Sequence, residues 1–129
     1  MNVGRLLAAG LLAAGCSPPP KGPAEARSRA SSQPRIVVEV LNASAHRGLA
    51  RVGTRTLRRQ GLDVVDYGTA DTTLDSTLVL VRRGRVNVGE PVRRALGAGK
   101  IRVALDTLRR VDVTVLLGRD WMPPADGRP

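Results

Sequence analysis

The stretch that decides the fold of this chain is Ile36-Val37-Val38-Glu39-Val40-Leu41, a run of β-branched and other apolar residues. It predicts a strand that is buried mostly on both faces. Asn42-Ala43-Ser44 follows and supplies a turn with two candidate helix caps. Apolar residues then recur at helical spacing over residues 45–60, and Gly61 stands where a helix C-terminus favours glycine. The folded part therefore begins with a strand, a turn and a helix.

Four more strands and a second helix are predicted downstream. The apolar runs place strands at 62–67, 77–82, 100–105 and 111–117. The helix is predicted at 87–96, with Asn87 and Glu90 as a capping pair. The order β-α-β-β-α-β, with one more strand at the end, is that of the split β-α-β units of ferredoxin-like folds. We therefore predict an α+β, ferredoxin-like plait: an antiparallel-rich sheet, both helices on one face, and the last strand as a C-terminal extension.

The domain boundaries follow from composition. After Cys16, residues 17–34 contain Pro, Ser, Ala, Gly and charged residues but no large apolar side chain. Such a segment cannot bury enough surface to offset the entropy of ordering it. We predict a leader at 1–15, an anchor and disordered linker at 16–34, a folded domain at 35–122 and a disordered tail at 123–129. Because Cys16 is the only cysteine, the chain has no intramolecular disulfide.

The leader has the order of a secretory signal peptide, with a cation at Arg5, an apolar stretch at 6–14 and small residues before Cys16. It also resembles the lipobox of bacterial lipoproteins, in which the cysteine becomes the lipidated N-terminus. The resemblance implies an exported chain, held at a membrane by a lipid on Cys16 and facing the periplasm or another extracytoplasmic space. The sorting rule known for such lipoproteins depends on the residue after the cysteine, and Ser17 does not resemble an inner-membrane retention signal. The resemblance therefore implies the outer membrane where the organism has one. An ordinary signal peptide, or a cysteine buried in an apolar helix, is the alternative.

The charge balance points to anionic partners. The chain holds 21 Lys+Arg against 11 Asp+Glu, a net charge of +10, and nearly all the cations are arginines. Guanidinium groups bind phosphates and carboxylates in bidentate geometry. Nucleic acid is not expected, because ferredoxin-like RNA binders stack bases on strand aromatics and this chain has no Phe, one Tyr and one Trp. A GC-rich genome would produce the same arginine bias without any function.

A candidate anion site lies at the start of the first predicted helix. Asn42, Ser44 and Arg47 stand there, and the free N–H groups and dipole of a helix N-terminus attract negative charge. The alternative is that Asn42 and Ser44 only close the turn. Arg119 and Asp120 join this site if the last strand packs beside the first.

The first helix also carries a candidate basic face, formed by Arg55, Arg58 and Arg59. The alternative is an ordinary solvated helix surface. Trp121, at the end of the last strand, is interpreted as a lid over the edge of the core, with a sugar-stacking platform as the alternative.

Enzymatic chemistry is not supported by the residues present. His46 is the only histidine, so a Ser-His-Asp arrangement would have to use it, and it stands beside Arg47 at a helix start. The sequence contains no Gly-rich phosphate loop followed by Lys-Ser/Thr and no metal-type Cys/His spacing. We therefore predict a non-catalytic protein without a cofactor or metal site.

Several short motifs, in order, resemble the LytR C-terminal domain family of bacterial envelope proteins. They are Val38-Glu39-Val40-Leu41-Asn42-Ala43-Ser44, Gly48-Leu49-Ala50, Leu57, Gly61-Leu62-Asp63-Val64, Thr77-Leu78-Val79, Ala95-Leu96-Gly97 and Val113-Thr114-Val115-Leu116-Leu117-Gly118-Arg119-Asp120. In that family the domain often follows a phosphotransferase domain and in other members stands alone behind a membrane anchor. From the 129 residues of this sequence we expect no phosphotransferase domain here. The resemblance implies a non-catalytic accessory module linked to envelope integrity.

The partners expected from these observations are a membrane, through the lipid on Cys16, and an anionic wall polymer, peptidoglycan or membrane component. A protein–protein scaffold in the envelope, with incidental basic charge, is the alternative function. The small domain leaves a dimer open, since an exposed sheet face or edge strand would allow pairing.

Overall fold

A computed structural model of the chain describes residues 10, 15 and 34–125. The last of these ranges belongs to the second of two units, Pro34–Pro129. The strands are β1 (Val37–Asn42), β2 (Asp63–Thr69), β3 (Leu78–Val81), β4 (Lys100–Val103) and β5 (Val113–Leu117). The α-helices are α1 (Leu49–Arg59) and α2 (Glu90–Leu96), and a 3-10 turn covers Val86–Val88. Cys16, almost all of the predicted leader and linker, and the end of the predicted tail lie outside the described residues.

The five strands form one sheet in the order β2-β1-β5-β3-β4. β1 runs parallel to both β2 and β5, and β3 runs parallel to β4, whereas β3 and β5 are antiparallel. Both predicted β-α-β units are therefore present. Each places its two strands side by side, whereas the split units of a ferredoxin-like fold have another strand between them. The mixed α+β class and the five strands are confirmed.

The prediction of an antiparallel-rich ferredoxin-like plait is not confirmed, since three of the four strand pairings in residues 34–125 are parallel. The last strand does not extend the sheet at one edge; β5 lies at its centre, between β1 and β3. Four of its five residues are buried, as in a central strand. A central strand has a paired strand on each side, so the apolar residues of β5 are better shielded from water there than at an edge, and this outweighs the order of the strands along the chain.

The core lies between the sheet and the two helices. It is formed by strand valines such as Val38, Val40 and Val115, together with Leu57 of α1 and Val92 of α2. Because these strand residues alternate with their neighbours, they all lie on one face, and both helices pack against that face as predicted. The opposite side of β1 is half-buried, so this strand is not buried on both faces.

Helix α1 begins four residues later than predicted. Its first residue is Leu49, and the preceding Gly48 has a φ of 82°, in the left-handed region that ends or precedes helices rather than continuing them. Its C-terminus agrees with the prediction: Gly61 N–H bonds to Arg58 C=O and Leu62 N–H to Leu57 C=O, which is the Schellman motif.

The second helix is shorter than predicted. The 3-10 turn Val86–Val88 takes the place of its first turn, and neither this turn nor α2 has a side-chain cap. The capping pair of Asn87 and Glu90 is therefore wrong. Glu90 instead pairs with Arg93 at 3.2 Å on the helix surface.

Candidate functional site

Asn42 closes the turn that follows β1. Its Oδ1 accepts hydrogen bonds from the backbone N–H and the hydroxyl of Ser44, at 2.9 and 2.8 Å, and its Nδ2 donates to the carbonyl of His46 at 2.7 Å. The hydroxyl oxygen of Ser44 accepts the N–H of His46 at 3.1 Å. Both side chains thus stabilise residues 42–46 as a turn, and neither caps α1, because the capping position belongs to Gly48.

Arg47 is exposed in the turn that leads to α1. Since Gly48 has no side chain to cap the helix, the first N–H groups of α1 have no side-chain acceptor among the described residues. These N–H groups and the positive end of the helix dipole lie close to Arg47 and Arg51 in the chain. The local charge at this end of α1 is therefore wholly positive.

The segment Gly118–Trp121 lies beside this turn, as expected from the pairing of β1 with β5. Ala43 N–H donates to Leu117 C=O at 2.9 Å. Leu74 joins the two segments, because its N–H donates to Ala43 C=O at 2.7 Å and its C=O accepts the N–H of Arg119 at 3.0 Å. The end of the sheet at which β1 and β5 finish therefore brings together four predicted site residues: Asn42, Ser44, Arg119 and Asp120.

The carboxylate of Asp120 is bonded within the domain, although the residue itself is exposed. Its Oδ1 accepts hydrogen bonds from the N–H and the hydroxyl of Thr77, while Arg119 forms an exposed ion pair with Asp75 at 3.4 Å. Trp121 is 3% exposed, belongs to the core, and donates its indole N–H to Leu96 C=O at 3.2 Å. Trp121 is therefore a lid over the core and is not accessible as a sugar-stacking platform.

Arg55, Arg58 and Arg59 are exposed on the outer side of α1, away from the turn. Arg58 donates from Nη2 to Val64 C=O at 2.7 Å, which holds its side chain against β2. Helix α1 contains no acidic residue in its first turn, and Arg58 and Arg59 occupy its last turn, where cations interact favourably with the helix dipole. The predicted site residues thus form two groups, one at the carboxyl ends of β1 and β5 and one along α1.

A cleft of about 310 Å³ lies next to the first group. It is lined by Asn42, Gly48, Ala50, Arg51, Tyr67, Gly68 and Thr69. It therefore opens at the carboxyl ends of the parallel strands β1 and β2, where ligands of open parallel sheets commonly bind. Sequence reasoning missed Arg51 and Tyr67 as lining residues. The only available signal was the position of Arg51 in the first turn of the helix and of Tyr67 near the end of a strand.

Two further findings concern the part of the chain that the structure describes. Neither of its helices is both long and apolar enough to cross a membrane. Within the same residues, no three His, Cys, Asp or Glu side chains are grouped so that they would hold a metal ion.

Comparisons with known proteins give the family. A crystal structure of the soluble domain (residues 71–217) of a conserved hypothetical secreted protein from Mycobacterium marinum is similar at 24% sequence identity, with a TM-score of 0.49. The match covers 67% of this chain and 61% of that one, so this chain spans less than two thirds of its length. No curated protein matches. The family model described as LytR cell envelope-related transcriptional attenuator (LytR_C) matches residues 35–121, two thirds of the chain, and the chain therefore belongs to the LytR C-terminal domain family.

Proposed function

We propose that this chain is an exported, lipid-anchored and non-catalytic envelope protein whose domain binds an anionic wall or membrane component. The description of its family as cell envelope-related supports the envelope role. The observation that carries the binding proposal is the charge of the helix layer. Helices α1 and α2 together hold six arginines and one carboxylate, Glu90.

The arginines of α1 are arranged as a surface. Arg51, Arg55 and Arg59 are spaced four residues apart and so lie on one side of the helix, with Arg58 beside them. All four are exposed. An array of guanidinium groups of this kind suits a polymer or surface with repeated phosphates or carboxylates, because each anion can accept two hydrogen bonds from one arginine.

Apart from Glu90, the acidic residues of the described domain lie outside the two helices. Asp63 and Asp66 are on β2, Asp71 and Asp75 are in the loop before β3, and Glu39 bonds to Arg109 on the sheet face opposite the helices. The positive charge is thus concentrated on the helix layer. The cleft beside Arg51 continues this surface at the N-terminal end of α1, where the helix dipole also favours anions.

The proposed role is binding rather than catalysis. His46, on which a Ser-His-Asp arrangement would depend, is exposed in the turn before α1, and its backbone is held by Ser44 and Asn42. The nearby carboxylate of Asp120 is already bonded to Thr77. This arrangement supports a binding module and leaves the arginines as the residues that contact the ligand.

Binding is tested by sedimentation of the lipid-free chain, residues 17–129, with purified sacculi at low and high salt. We expect binding that falls as salt rises, because contacts between exposed charges are screened. Arg55→Glu combined with Arg59→Glu should weaken it at least about tenfold, since like charges at an interface repel. The matched control, Arg83→Glu with Arg85→Glu, makes the same charge change in the loop after β3.

Two outcomes would contradict the proposal. Binding that is unaffected by salt and by the α1 variants would exclude the basic face. Equal losses in the α1 and loop variants would mean that only net charge matters. Sacculi stripped of anionic polymers, compared with anionic vesicles, then distinguish a wall ligand from a membrane ligand.

The lipid anchor is tested separately. We expect Cys16→Ala to release the chain from the membrane fraction, because an uncleaved or unlipidated leader provides no acyl chain for anchoring. The readout is the share of the protein in membrane and soluble fractions, with Ser17→Ala as the control. Unchanged retention of the Cys16→Ala protein would refute the anchor without affecting the binding proposal.

The alternative function is a protein–protein scaffold. The observation that favours it is the sheet face opposite the helices, which carries four partly exposed leucines: Leu41, Leu78, Leu80 and Leu116. Binding to an envelope partner that is insensitive to salt, and that is lost when those leucines are changed, would favour this alternative over the electrostatic one.

A further inference from the structure

The sheet face opposite the helices carries an apolar patch. Leu41, Leu78, Leu80 and Leu116 are partly exposed there and do not belong to the core, whereas their strand neighbours Val40, Val79 and Val115 are fully buried on the helix side. No described helix packs on this second face. We call it the open face and define it by these four leucines with Asp66 on β2 and Arg102 on β4.

The strand register arranges the open face in rows that cross the sheet. In one row Leu41 of β1 lies beside Leu116 of β5, which lies beside Leu78 of β3. The next row runs through Asp66, Glu39, Thr114, Leu80 and Arg102, in this order from β2 to β4. Asp66 and Arg102 are thus at opposite ends of the same row.

The polar groups in the middle of the face are already satisfied. Glu39 accepts hydrogen bonds from Arg109 at 2.6 Å and from the hydroxyl of Thr114 at 3.1 Å, and Thr114 accepts one from Arg82 at 3.1 Å. At the ends of the row the charges are exposed, and among the described residues neither Asp66 nor Arg102 forms an ion pair. The face therefore has one apolar row, through Leu41, Leu116 and Leu78, and one row whose polar centre is bonded to Arg82 and Arg109. One of its edges is acidic and the other is basic.

We propose that the open face is the interface of a homodimer whose two-fold axis lies in the interface, above β5 and parallel to the strands. This operation exchanges the two edges of the sheet. It sets Asp66 against Arg102 of the second copy, and Arg102 against its Asp66, because both residues lie in one row. It also sets Leu41 against the other copy's Leu78 and the two Leu116 side chains against each other.

Self-complementarity is what favours a second copy over another partner. A two-fold axis across the strands would set each edge against itself and so place basic against basic, which leaves the axis along the strands as the favourable choice. Two sheets packed face to face keep their strands aligned to within about 30° because each sheet is twisted. An isologous interface of this kind needs one patch that complements itself, and the row from Asp66 to Arg102 meets that requirement.

The interface is small. Five strands about 4.8 Å apart, each about five residues or about 17 Å long, give a face of about 400 Å². A standard interface buries about 800 Å² per partner. We therefore expect reversible, concentration-dependent dimerisation. In this dimer the helix layers form the two outer surfaces, so two anion-binding faces would point in opposite directions. That consequence rests on the proposed function, but the dimer itself does not.

The test is sedimentation velocity of the lipid-free chain, residues 17–129, over a wide range of concentration. We expect a monomer–dimer equilibrium. Asp66→Arg and Arg102→Asp should each weaken dimerisation at least about tenfold, since each places like charges together at two symmetric contacts. The double variant should restore the dissociation constant to within about threefold of the original, because the pair is re-formed with its polarity reversed.

Two further variants complete the design. Leu116→Lys should abolish the dimer, since it places two ammonium groups at the axis, and an unchanged circular dichroism spectrum verifies its fold. Arg55→Glu on α1 changes the charge as much as Arg102→Asp and should leave dimerisation unchanged, while it weakens anion binding if the proposed function holds. Failure of the dimer and failure of anion binding are thereby measured independently.

The proposal is overturned by a chain that is monomeric at every concentration, by a double charge variant that does not recover, or by equal effects of Arg55→Glu and Arg102→Asp. A monomer that loses binding to a different envelope protein on Leu116→Lys would assign the open face to that protein instead.

Discussion

The Oδ1 atom of Asp120 accepts hydrogen bonds from both the backbone N–H and the hydroxyl of Thr77, each at 2.8 Å, across a separation of 43 residues. Thr77 is fully buried, and its hydroxyl oxygen accepts the N–H of Gly118 at 3.0 Å. One carboxylate thus fastens the end of β5 to the start of β3. Within the family motif Leu117-Gly118-Arg119-Asp120, Gly118 and Asp120 therefore stabilise the fold through their bonds to Thr77.

Replacing Asp120 with Ala should lower the free energy of unfolding by about 2 kcal/mol, because a buried N–H and hydroxyl lose a charged acceptor. The value is at the lower end for two such bonds because Asp120 itself is exposed and water can replace part of the interaction. Urea denaturation measures the change.

The control for Asp120 is its neighbour Arg119, whose ion pair with Asp75 joins side chains that are 58% and 89% exposed. Arg119→Ala should therefore cost no more than about 1 kcal/mol. Equal losses from the two substitutions would show that the bonds to Thr77 contribute little.

Gly118 is required by a close approach of two backbone segments. A Cβ atom at this position would lie 2.5 Å from the carbonyl carbon of Ser76 and 2.8 Å from the backbone nitrogen of Thr77. Because the backbone atoms of the segment that leads into β3 cannot move as a side-chain tip can, we expect Gly118→Ala to lower the free energy of unfolding by about 3 kcal/mol.

The matched control is Gly68→Ala on the edge strand β2, where the nearest atom to a new Cβ is Leu41 Cδ2, an ordinary contact at 3.7 Å. There the substitution should change stability by less than about 1 kcal/mol, in the stabilising direction, since alanine loses less entropy on folding. Thermal melting of both variants compares them, and a stable Gly118→Ala protein would refute the steric argument.

The hydroxyl of Thr54 is buried on α1 without a hydrogen-bond partner among the described residues. We expect Thr54→Val to raise the free energy of unfolding by about 1 kcal/mol, because valine keeps the shape and removes an unsatisfied polar group.

Thr56 provides the comparison for Thr54, since its hydroxyl donates to Val52 C=O at 3.1 Å in the same helix. Thr56→Val should be neutral or slightly destabilising. Chemical denaturation of the pair tests the difference, and a destabilised Thr54→Val protein would mean that the Thr54 hydroxyl is hydrated or bonded in solution.

The Glu39–Arg109 ion pair ties the loop before β5 to the open face at 2.6 Å, and the Glu39 side chain is only 14% exposed. A double-mutant cycle with alanine at both positions should give a coupling energy of about 1 kcal/mol. The exposed pair of Glu90 and Arg93, at 44% and 45% exposure, should give about 0.3 kcal/mol or less. A smaller coupling for Glu39 and Arg109 than for the helix pair would contradict the role of burial.

Local chemistry explains both a success and a failure of prediction at α1. Gly61 ends the helix as predicted, because a left-handed residue and its two hydrogen bonds involve only nearby backbone. The start was wrong because Asn42 and Ser44, which favour both caps and turns, bond to each other and to His46 instead of to the first helical N–H groups. Sequence pattern alone does not distinguish these two uses of the same side chains.

The candidate site shows a similar division. The exposed arginines of α1 were predictable, since helical spacing places Arg55 and Arg59 on one side whatever the tertiary structure. The use of Asp120 on Thr77, and the cleft that joins Arg51 to Tyr67, were not predictable because they depend on segments that meet only through the sheet.

The sequence by itself determined the family, the five strands and two helices, and the basic character of the helix layer, because periodicity, turn residues and charge spacing act over a few neighbouring residues. Only the tertiary structure decided the order of the strands. The burial of Val113, Val115 and Leu117 draws β5 into the centre of the sheet, where it pairs with β1 and β3 rather than extending an edge. That placement depends on contacts between residues far apart in the chain. It also forms the open face and allows the hydrogen bonds between Asp120 and Thr77.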